Sequence, residues 1–332
     1  MRLRWGILGT GNIAKQFAGG VRQSETGTLA AVASRSAEAA DAFAKRFGVD
    51  CSYGDYAAML ADAQLDAVYV SLPNTMHHEW TIKALHAGKH VLCEKPIAVS
   101  VAEVEEMFAV ARRHGRVLVE AFMYRCHPQT HKVLELIRGG AIGRVRTIRT
   151  SFCFRVRKTE GNIRFDPALA GGALWDVGCY CVDFSRLVAN AAVTDCGAIA
   201  VRHASGVDER VSGAIAFEGG IHAGFVCGMD VQADNSAYVC GDEGYLRIPV
   251  PWKPPPGEGQ IIIARGTPPK QDGPVTQPPP PEVHHITDAR ALYGIEADAF
   301  AAVIAGTAPP FVPPEDSIAN IRLIERLRAG LF

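Results

Sequence analysis

Residues 91–96, Val-Leu-Cys-Glu-Lys-Pro, place a Glu-Lys-Pro at the end of an apolar run. The apolar run predicts a buried strand, and in an α/β sheet ligands bind beyond the carboxyl ends of the strands. A lysine ammonium at such an edge is costly to desolvate unless it meets a partner, for example a reacting oxygen. Lys95 is therefore the first candidate for a catalytic residue.

A glycine-rich segment, residues 6–14, places the pattern Gly-x-Gly-x-x-Ala between a predicted strand and a predicted helix. In this context the first glycine permits a tight turn and the second lets the backbone approach a pyrophosphate, while the alanine allows close helix packing. The helix N-terminus then faces the phosphates. A turn that merely needs glycine is the alternative. We expect dinucleotide contacts from Gly9, Thr10, Gly11, Asn12 and Ile13.

The predicted second strand ends in Ser34-Arg35-Ser36, where an NAD-preferring site usually carries Asp or Glu. Arg35, with Ser34 beside it, can bind a ribose 2′-phosphate that an acidic residue would repel. The pattern favours NADP over NAD. The alternative is that Arg35 is a solvated surface residue at a helix start, which leaves NAD possible.

Residues 71–77 follow another predicted strand and should lie at the same edge of the sheet. Two adjacent histidines in this region, His77 and His78, lack the spacing of a zinc site, so we expect no metal. Beyond the glycine-rich turn and the second strand, we expect cofactor contacts from Ser71, Leu72, Pro73, Asn74, His77, Glu94, Lys95 and Met123.

A second cluster, residues 171–187, combines glycines with an aspartate and a tyrosine. As a helix, it places Asp176 and Tyr180 on one face, one turn apart. Gly178 inside that helix costs about 1 kcal/mol relative to alanine, which indicates a close approach by a cofactor or another backbone. Tyr180 is a candidate proton donor or acceptor, although a core tyrosine is the commoner explanation of the residue taken alone.

Short apolar runs alternate with helical stretches from residue 3 to about 124, which predicts a parallel α/β sheet. Beyond residue 125, longer alternating runs with glycine-rich turns predict a largely antiparallel second sheet. Two proline-rich stretches, 249–257 and 268–281, are predicted to be peripheral, mainly structural loops. The predicted strands are 4–8, 29–34, 67–71, 90–93, 117–121, 145–157, 211–217, 221–229, 237–240 and 260–265, and the predicted helices include 36–47, 101–114, 293–306 and 314–327.

The length of 332 residues predicts two domains, which we place at 1–124 and 125–332, with the C-terminal helices available to pack back on the first. A formal net charge of −1 provides no overall attraction to nucleic acid or to an anionic membrane. The 9 cysteines fit no Cys-x-x-Cys spacing and predict reduced thiols. The start of the chain shows no apolar signal region, so we expect a cytoplasmic protein.

The order and spacing of these motifs resemble the Gfo/Idh/MocA oxidoreductase family over most of the first 190 residues. The branch that they resemble most contains NADP-dependent D-xylose dehydrogenases and dimeric dihydrodiol dehydrogenases. The resemblance rests on the Gly9-x-Gly11 turn, Glu94-Lys95-Pro96, Glu-Ala-Phe-Met-Tyr-Arg-Cys-His-Pro-Gln at 120–129, and Gly-Gly-Ala-x-x-Asp-x-Gly-x-Tyr at 171–180.

The resemblance implies an N-terminal Rossmann domain, which is a doubly wound parallel α/β sheet, and a C-terminal α+β domain built on an open, mostly antiparallel sheet. It implies Lys95 as the catalytic lysine, with a cis bond to Pro96, and Tyr180 as the proton donor or acceptor. Asp176 would help to hold substrate hydroxyls. Some members carry histidine at the Tyr180 position, so the substrates of inositol dehydrogenases and anhydrofructose reductases do not transfer directly.

The function implied is hydride transfer between NADP and a sugar or polyol, for example by an aldose 1-dehydrogenase. Phe154 and Arg155, on the first strand of the second sheet, are candidate substrate contacts. The alternatives are a trans-dihydrodiol dehydrogenase and a non-enzymatic dinucleotide-sensing regulator. Family members commonly pair the open faces of their second sheets, so the resemblance also implies a homodimer or homotetramer.

Overall fold

The computed structural model describes residues 2–266 and 278–331. The strands are β1 (Leu3–Leu8), β2 (Gly27–Ala33), β3 (Cys51–Tyr53), β4 (Ala67–Val70), β5 (His90–Glu94), β6 (Leu118–Ala121), β7 (Val145–Cys153), β8 (Val193–Arg202), β9 (Asp208–Phe217), β10 (Ile221–Gly228), β11 (Ala237–Gly241), β12 (Gly244–Ile248), β13 (Gly259–Arg265) and β14 (Glu282–Ile286). The α-helices are α1 (Asn12–Val21), α2 (Ala37–Phe47), α3 (Tyr56–Leu60), α4 (His77–His86), α5 (Val101–Arg113), α6 (Pro128–Arg138), α7 (Cys179–Ala189), α8 (Leu292–Ile304) and α9 (Pro314–Ala329).

The chain divides into two compact units. The first comprises Met1–His127, Asp166–Gly171 and Arg290–Arg322. The second comprises Pro128–Phe165, Gly172–Ala289 and Leu323–Phe332. The first unit therefore contains residues on both sides of residue 124, including the whole of α8, and the division at residue 124 stays a prediction.

Six parallel strands form the sheet of the first unit, in the order β3-β2-β1-β4-β5-β6. Every residue of β4 and β6 is buried, as expected for a parallel sheet that is covered on both faces. The predicted α/β fold is confirmed. Sequence analysis missed β3 because this edge strand has three residues, two of them exposed, and so carries no apolar run.

Among the residues of the second unit that the structure describes, eight strands form one sheet in the order β14-β13-β12-β11-β7-β10-β9-β8. All the pairings are antiparallel except that of β7 with β10, which confirms the predicted open, mostly antiparallel sheet. Sequence analysis missed β8, β12 and β14. The two edge strands, β8 and β14, contain no buried residue, and β12 is only five residues long, so none shows a strong apolar alternation.

The first proline-rich stretch, residues 249–257, forms neither helix nor strand, as predicted. Most of the second stretch, 268–281, lies outside the described residues. In the parts of the chain that the structure describes, no helix has both the length and the apolar character needed to cross a membrane.

Helices α1 and α8 cross closely within the first unit, and two glycines make this crossing possible. A Cβ built on Gly20 would lie 2.6 Å from the backbone nitrogen of Gly294 and 2.6 Å from Cβ of Tyr293. Real Cβ atoms do not approach other atoms this closely, so a side chain at position 20 would push the helices apart. The crossing brings Asp298 of α8 to the turn between α1 and β2, where its carboxylate accepts hydrogen bonds from the Ser24 hydroxyl (2.5 Å) and the Thr26 hydroxyl (2.6 Å).

We expect Gly20→Ala to destabilise the protein by about 1–3 kcal/mol, because it overpacks this crossing. Gly19→Ala is the matched control: it lies in the same helix, and a Cβ there would meet no atom within 4 Å outside the helix itself. The control should stabilise by up to about 1 kcal/mol, the difference in helix propensity between alanine and glycine. Urea unfolding of both variants measures the two effects, and equal effects would contradict the close crossing.

A buried carboxyl on α8, that of Glu296, lies in the same unit. The side chain is fully buried, and neither of its oxygens has a hydrogen-bond partner among the described residues. Burial, and then the negative charge of Glu94, raise the pKa of Glu296 well above its ordinary value of 4.5. The native state therefore holds a proton on this carboxyl at pH values where an unfolded chain has lost it.

Because the folded-state pKa of Glu296 is raised, its protonation stabilises the native state fully below pH 4.5, and this stabilisation is lost as the pH rises toward the folded-state pKa. Glu296→Gln has no proton to lose. We expect the wild type to lose stability relative to this variant by up to about 1.4 kcal/mol per pH unit above pH 4.5. Urea unfolding at several pH values measures the difference, with the exposed Glu218→Gln as control. Parallel pH profiles for wild type and Glu296→Gln would show that Glu296 is ionised in the native state.

Candidate active site

The tight turn after β1 requires glycine at its first position. Gly9 has φ of 102°, a conformation that side chains rarely adopt, and a Cβ there would lie 3.0 Å from the carbonyl oxygen of Ser71. The Gly9 N–H donates to the carbonyl of Ala33 at the end of β2 (2.9 Å). The turn after β1 therefore contacts the ends of both strands that flank β1, which are β2 and β4.

The N-terminus of α1 is open and suited to an anion. Gly11 is its N-cap, no side chain caps the helix, and a Cβ at Gly11 would meet nothing within 4 Å. Gly11 and Asn12 are exposed, and Thr10 and Ile13 are half-buried. The unpaired N–H groups of the first helical turn and the helix dipole together favour a phosphate at such a position. The residues at this helix end thus fit the pyrophosphate of a dinucleotide.

The end of β2 offers a cation and no acidic side chain at the position expected for an NAD site. Arg35 is exposed, and Ser34 is buried. Burial raises the pKa of Tyr56, while the positive charge of Arg35 acts to lower it. The Ser36 hydroxyl is already engaged, because it accepts the N–H of Ala39 (3.2 Å) as the N-cap of α2. The Ser34 hydroxyl likewise accepts a backbone N–H, that of Ser36 (3.4 Å). Arg35 is therefore the group at this strand end that suits a 2′-phosphate.

The loop after β4 is held by its own side chains. The Ser71 hydroxyl donates to the carbonyl of Leu8 (2.7 Å), and the Asn74 amide donates to the carbonyl of Ala170 (3.0 Å). Leu72 is buried, and Pro73 precedes a short 3₁₀ helix, Asn74–Met76. These contacts shape the loop, and cofactor contacts from its residues stay a prediction.

His77 connects this loop to the turn after β5. The ring is buried, with Nε2 2.8 Å from the carbonyl oxygen of Leu72 and Nδ1 2.8 Å from that of Pro96. Burial lowers the pKa of His77, while the two carbonyl contacts act in the opposite direction. The side chain is enclosed by protein. Its contribution to a cofactor site would therefore be to hold the loop after β4 against the turn that carries Lys95.

The turn after β5 presents Lys95 at the edge of the sheet. The side chain of Glu94, the last residue of β5, accepts the Tyr69 hydroxyl and the Lys95 N–H (3.2 Å), and the Ile97 N–H donates to Glu120 at 3.0 Å. The Lys95–Pro96 peptide bond is cis, which confirms the expectation from the resemblance. Lys95 itself is half-buried.

The parallel sheet brings most of the predicted cofactor residues of the first unit to one edge. Parallel strands have their carboxyl ends on the same side, and a predicted residue follows the end of each of five strands. Met123, which is buried in the 3₁₀ helix Met123–Cys126, follows the last of these strands, β6. The residues at the five ends are Gly9 after β1, Ser34 after β2, Ser71 after β4, Lys95 after β5 and Met123 after β6.

In the second unit, Asp176 and Tyr180 lie on a continuous helical segment that differs from the prediction in its first turn. Residues Leu174–Gly178 form a π-helical turn, which leads directly into α7. A π turn contains more residues than an α turn. Because Asp176 lies in the π turn, the four residues from Asp176 to Tyr180 do not complete a full helical turn. A Cβ at Gly178 would lie 2.7 Å from Cδ1 of Leu174 and 2.8 Å from Sγ of Cys227 in β10, so the close neighbours described here are side chains rather than the backbone or cofactor that the sequence suggested.

Tyr180 is buried against aromatic side chains. Its ring centroid lies 5.3 Å from that of Phe152 in an edge-to-face arrangement and 5.9 Å from that of Trp252. Trp252 is itself buried, and its indole N–H donates to the carbonyl of Ser151 (3.0 Å). Trp252 belongs to the first proline-rich loop, and sequence analysis missed it, although a tryptophan in such a loop was a usable signal.

Asp176 forms an ion pair with Arg164, whose Nε lies 2.6 Å from Oδ2 of the carboxylate. The same guanidinium lies over the ring of Phe154, 5.6 Å from its centroid. The structure thus connects the predicted substrate residue Phe154 to Asp176 through Arg164. Arg155 is exposed and forms an isolated bridge with Asp230, and no described contact joins it to Asp176. Sequence analysis missed Arg164 because nothing in its spacing marks it.

Two family models match this chain. Residues 3–122 match the "Oxidoreductase family, NAD-binding Rossmann fold" model of Gfo/Idh/MocA proteins, and residues 130–247 match the GFO/IDH/MocA C-terminal domain. Together these matches cover the first sheet and the second sheet up to β12, and they leave out β13 and β14.

Individual relatives agree with the family models. The chain is 34% identical over 326 residues to D-xylose 1-dehydrogenase (NADP(+)) 2 of Haloferax volcanii, with 98% of this chain and 96% of the relative covered. It is 36% identical over 261 residues to trans-1,2-dihydrobenzene-1,2-diol dehydrogenase of Mus musculus, with 76% and 77% covered.

Among solved structures, a 3-ketoreductase from Actinomadura kijaniata in complex with NADP and TDP-benzene superposes with a TM-score of 0.86 at 30% sequence identity. The match covers 100% of this chain and 98% of that one. The open helix N-terminus after β1, the lysine turn after β5 and the two matched domains agree on one assignment: the chain belongs to the Gfo/Idh/MocA family of oxidoreductases.

Proposed function

We propose that this protein is an NADP-dependent dehydrogenase or reductase that transfers hydride between the nicotinamide and a carbinol or carbonyl carbon of a sugar or polyol. The observation that carries the proposal is a lysine, Lys95, at the same sheet edge as the open N-terminus of α1. A dinucleotide whose phosphates bind the helix end spans this edge in Rossmann folds. The xylose dehydrogenase and the ketoreductase named above support the substrate class.

The residues after β2 support NADP over NAD. An exposed guanidinium, that of Arg35, stands where NAD sites usually place a carboxylate, and the neighbouring Ser34 adds a hydroxyl. Two of the relatives, the xylose dehydrogenase and the ketoreductase, carry NADP in their names or complexes.

The chemistry assigns a role to each of three side chains. When bound, NADP supplies the carbon that accepts or returns hydride. Tyr180 takes the proton of the carbinol during oxidation and returns it during reduction. We assign Lys95 to stabilise the negative charge that develops on the substrate oxygen. Asp176 holds substrate hydroxyls.

An aromatic diol is the second candidate substrate. The ring contacts that Tyr180 makes with Phe152 and Trp252 form an apolar surface, which suits a dihydrodiol better than a sugar. The ion pair of Asp176 with Arg164 is polar and suits a polyol. A sugar is our first choice because the Asp176–Arg164 ion pair involves the same helical segment that carries Tyr180. A diol is the alternative because the mouse relative is a dihydrodiol dehydrogenase.

We further propose a homo-oligomer formed through the open face of the second sheet. Apolar side chains are exposed on its strands, among them Ile199 (76% exposed), Val201 (42%) and Tyr245 (41%). Burying such side chains in a subunit contact is favourable. Light scattering should then give a mass that is a multiple of 35.6 kDa, and a monomer would contradict the proposal.

The nine free cysteines suit a reducing compartment such as the cytoplasm.

The function is tested by the rate of NADPH formation with NADP and a panel of aldoses, polyols and aromatic dihydrodiols, and by the reverse reaction with the corresponding carbonyl compounds. We expect turnover on one class, and Lys95→Met should lower it about 10²–10³-fold, the usual effect of removing a group that stabilises a developing oxyanion. NADP affinity, measured by calorimetry, should change little.

Lys83→Met is the matched control, because Lys83 is an exposed lysine on α4 that pairs with Glu79. It should leave both turnover and NADP binding unchanged. A second variant, Tyr180→Phe, should reduce turnover without weakening NADP binding. Full turnover in Lys95→Met would remove the lysine from the mechanism, and tight NADP binding without turnover in either direction would favour a dinucleotide sensor.

A further inference from the structure

The helical segment that carries Asp176 and Tyr180 begins in an unusual way. Its first turn, Leu174–Gly178, is π-helical and has no side-chain cap of its own at Ala173. π turns are rare and occur frequently at functional sites, where neighbouring groups must stabilise them. The N–H groups that precede this turn need acceptors from elsewhere in the unit.

Asp208 supplies such an acceptor. It is the first residue of β9 and only 1% exposed. Its Oδ2 accepts the backbone N–H of Leu174 at 2.7 Å. Asp208 therefore acts as the cap of the π turn from a different strand, 34 residues further along the chain than Leu174.

Gly172 makes room for this carboxylate. Its φ is 126°, and a Cβ there would lie 2.3 Å from Oδ1 of Asp208. The carboxylate thus occupies the space that a side chain at position 172 would need. The carbonyl of Gly172 in turn accepts the N–H of Asp176 at 3.0 Å, which ties the capped residues directly to the predicted substrate aspartate.

Arg328, near the end of α9, completes the arrangement. Its Nη1 lies 3.3 Å from Oδ1 of Asp208, and its guanidinium lies over the ring of Trp175, 5.2 Å from the centroid. Arg328 therefore contacts both the capping carboxylate and a residue of the π turn. Burial raises the pKa of Asp208, while the backbone N–H groups and Arg328 act to lower it, so the ionised form depends on these contacts.

We propose that Asp208 is a positioning residue for the reaction: it fixes the π turn and thereby the placement of Asp176 and Tyr180. This inference rests on the proposed function, because it concerns the side chains assigned to proton transfer and substrate binding there. Reacting groups must be held closely, since a displacement of about 1 Å can cost ~10²-fold in rate. Asp208 itself is buried and acts only through the segment that it caps.

The test compares Asp208→Ala and Asp208→Asn with Asp242→Ala. Asp242 is a matched control because it also accepts a backbone N–H, that of Arg144 (2.8 Å), and also pairs with an arginine, Arg146 (3.3 Å). With the best substrate of the panel, we expect Asp208→Ala to lower kcat about 10- to 100-fold. Asp208→Asn keeps one carbonyl oxygen for the Leu174 N–H and should lose less. Asp242→Ala should lose nothing, and NADP affinity should stay unchanged in all three.

A double-mutant cycle with Tyr180→Phe separates positioning from a general loss of structure. Because Asp208 is proposed to place Tyr180 as well as Asp176, Asp208→Ala should lower kcat by a smaller factor when Tyr180 is already replaced than it does in the wild type. Multiplicative losses in the cycle, or an equal loss in Asp242→Ala, would overturn the proposal. Asp208→Asn serves for the cycle if Asp208→Ala does not fold.

Amide hydrogen exchange tests the same inference without turnover. Asp208→Ala, or Asp208→Asn in its place, should accelerate exchange in the peptide that covers 172–176 by roughly tenfold or more, the effect of losing a hydrogen bond to a charged group. Asp242→Ala should not accelerate it. Unchanged exchange would overturn the role of Asp208, whereas faster exchange in an enzyme without turnover on any panel compound would leave the cap in place and reject the proposed function.

Discussion

A carboxylate that is removed from water needs hydrogen-bond donors, a cation or a proton, and this requirement organises the buried polar groups of both units. Glu94 at the end of β5 has the Tyr69 hydroxyl and the Lys95 N–H. Asp208 at the start of β9 has the Leu174 N–H and Arg328. Glu296 has no described hydrogen-bond partner, and its raised pKa keeps a proton on it. The segments that carry Lys95 and Tyr180 are therefore fixed by electrostatic contacts as well as by packing.

Glycines stand at the points where these segments meet other parts of the chain, because a side chain would not fit there and because Gly9 and Gly172 also have positive φ angles. Gly9 faces the backbone of Ser71, Gly172 faces the carboxylate of Asp208, and Gly178 faces the sulfur of Cys227. In each case a Cβ would come within about 3 Å of an atom far away in sequence. A glycine in these motifs thus indicates that another group lies close to it, but the sequence does not show which group that is.

Much of the fold could be predicted because its signals are local. The apolar runs of the parallel strands and the helix that follows Gly9-x-Gly11 are visible in short windows, and five of the six parallel strands were recognised from them. Three of the strands that were missed, β3, β8 and β14, are edge strands with no buried residue and without that pattern. The π turn at Leu174–Gly178 could not be predicted either, because the periodicity of five residues does not distinguish it from an α turn.

The sequence by itself determined the family, the order of the motifs and the edge of the first sheet at which Lys95 and the glycine turn lie, since strand ends follow from local patterns and parallel strands share one carboxyl edge. Only the tertiary structure decided what surrounds Asp176 and Tyr180. Arg164, Trp252 and Asp208 come from a short 3₁₀ helix, a proline-rich stretch and a strand end that carry no motif. Their roles arise from desolvation and hydrogen bonding between segments distant in the chain, and such pairings exist only after the second sheet has formed.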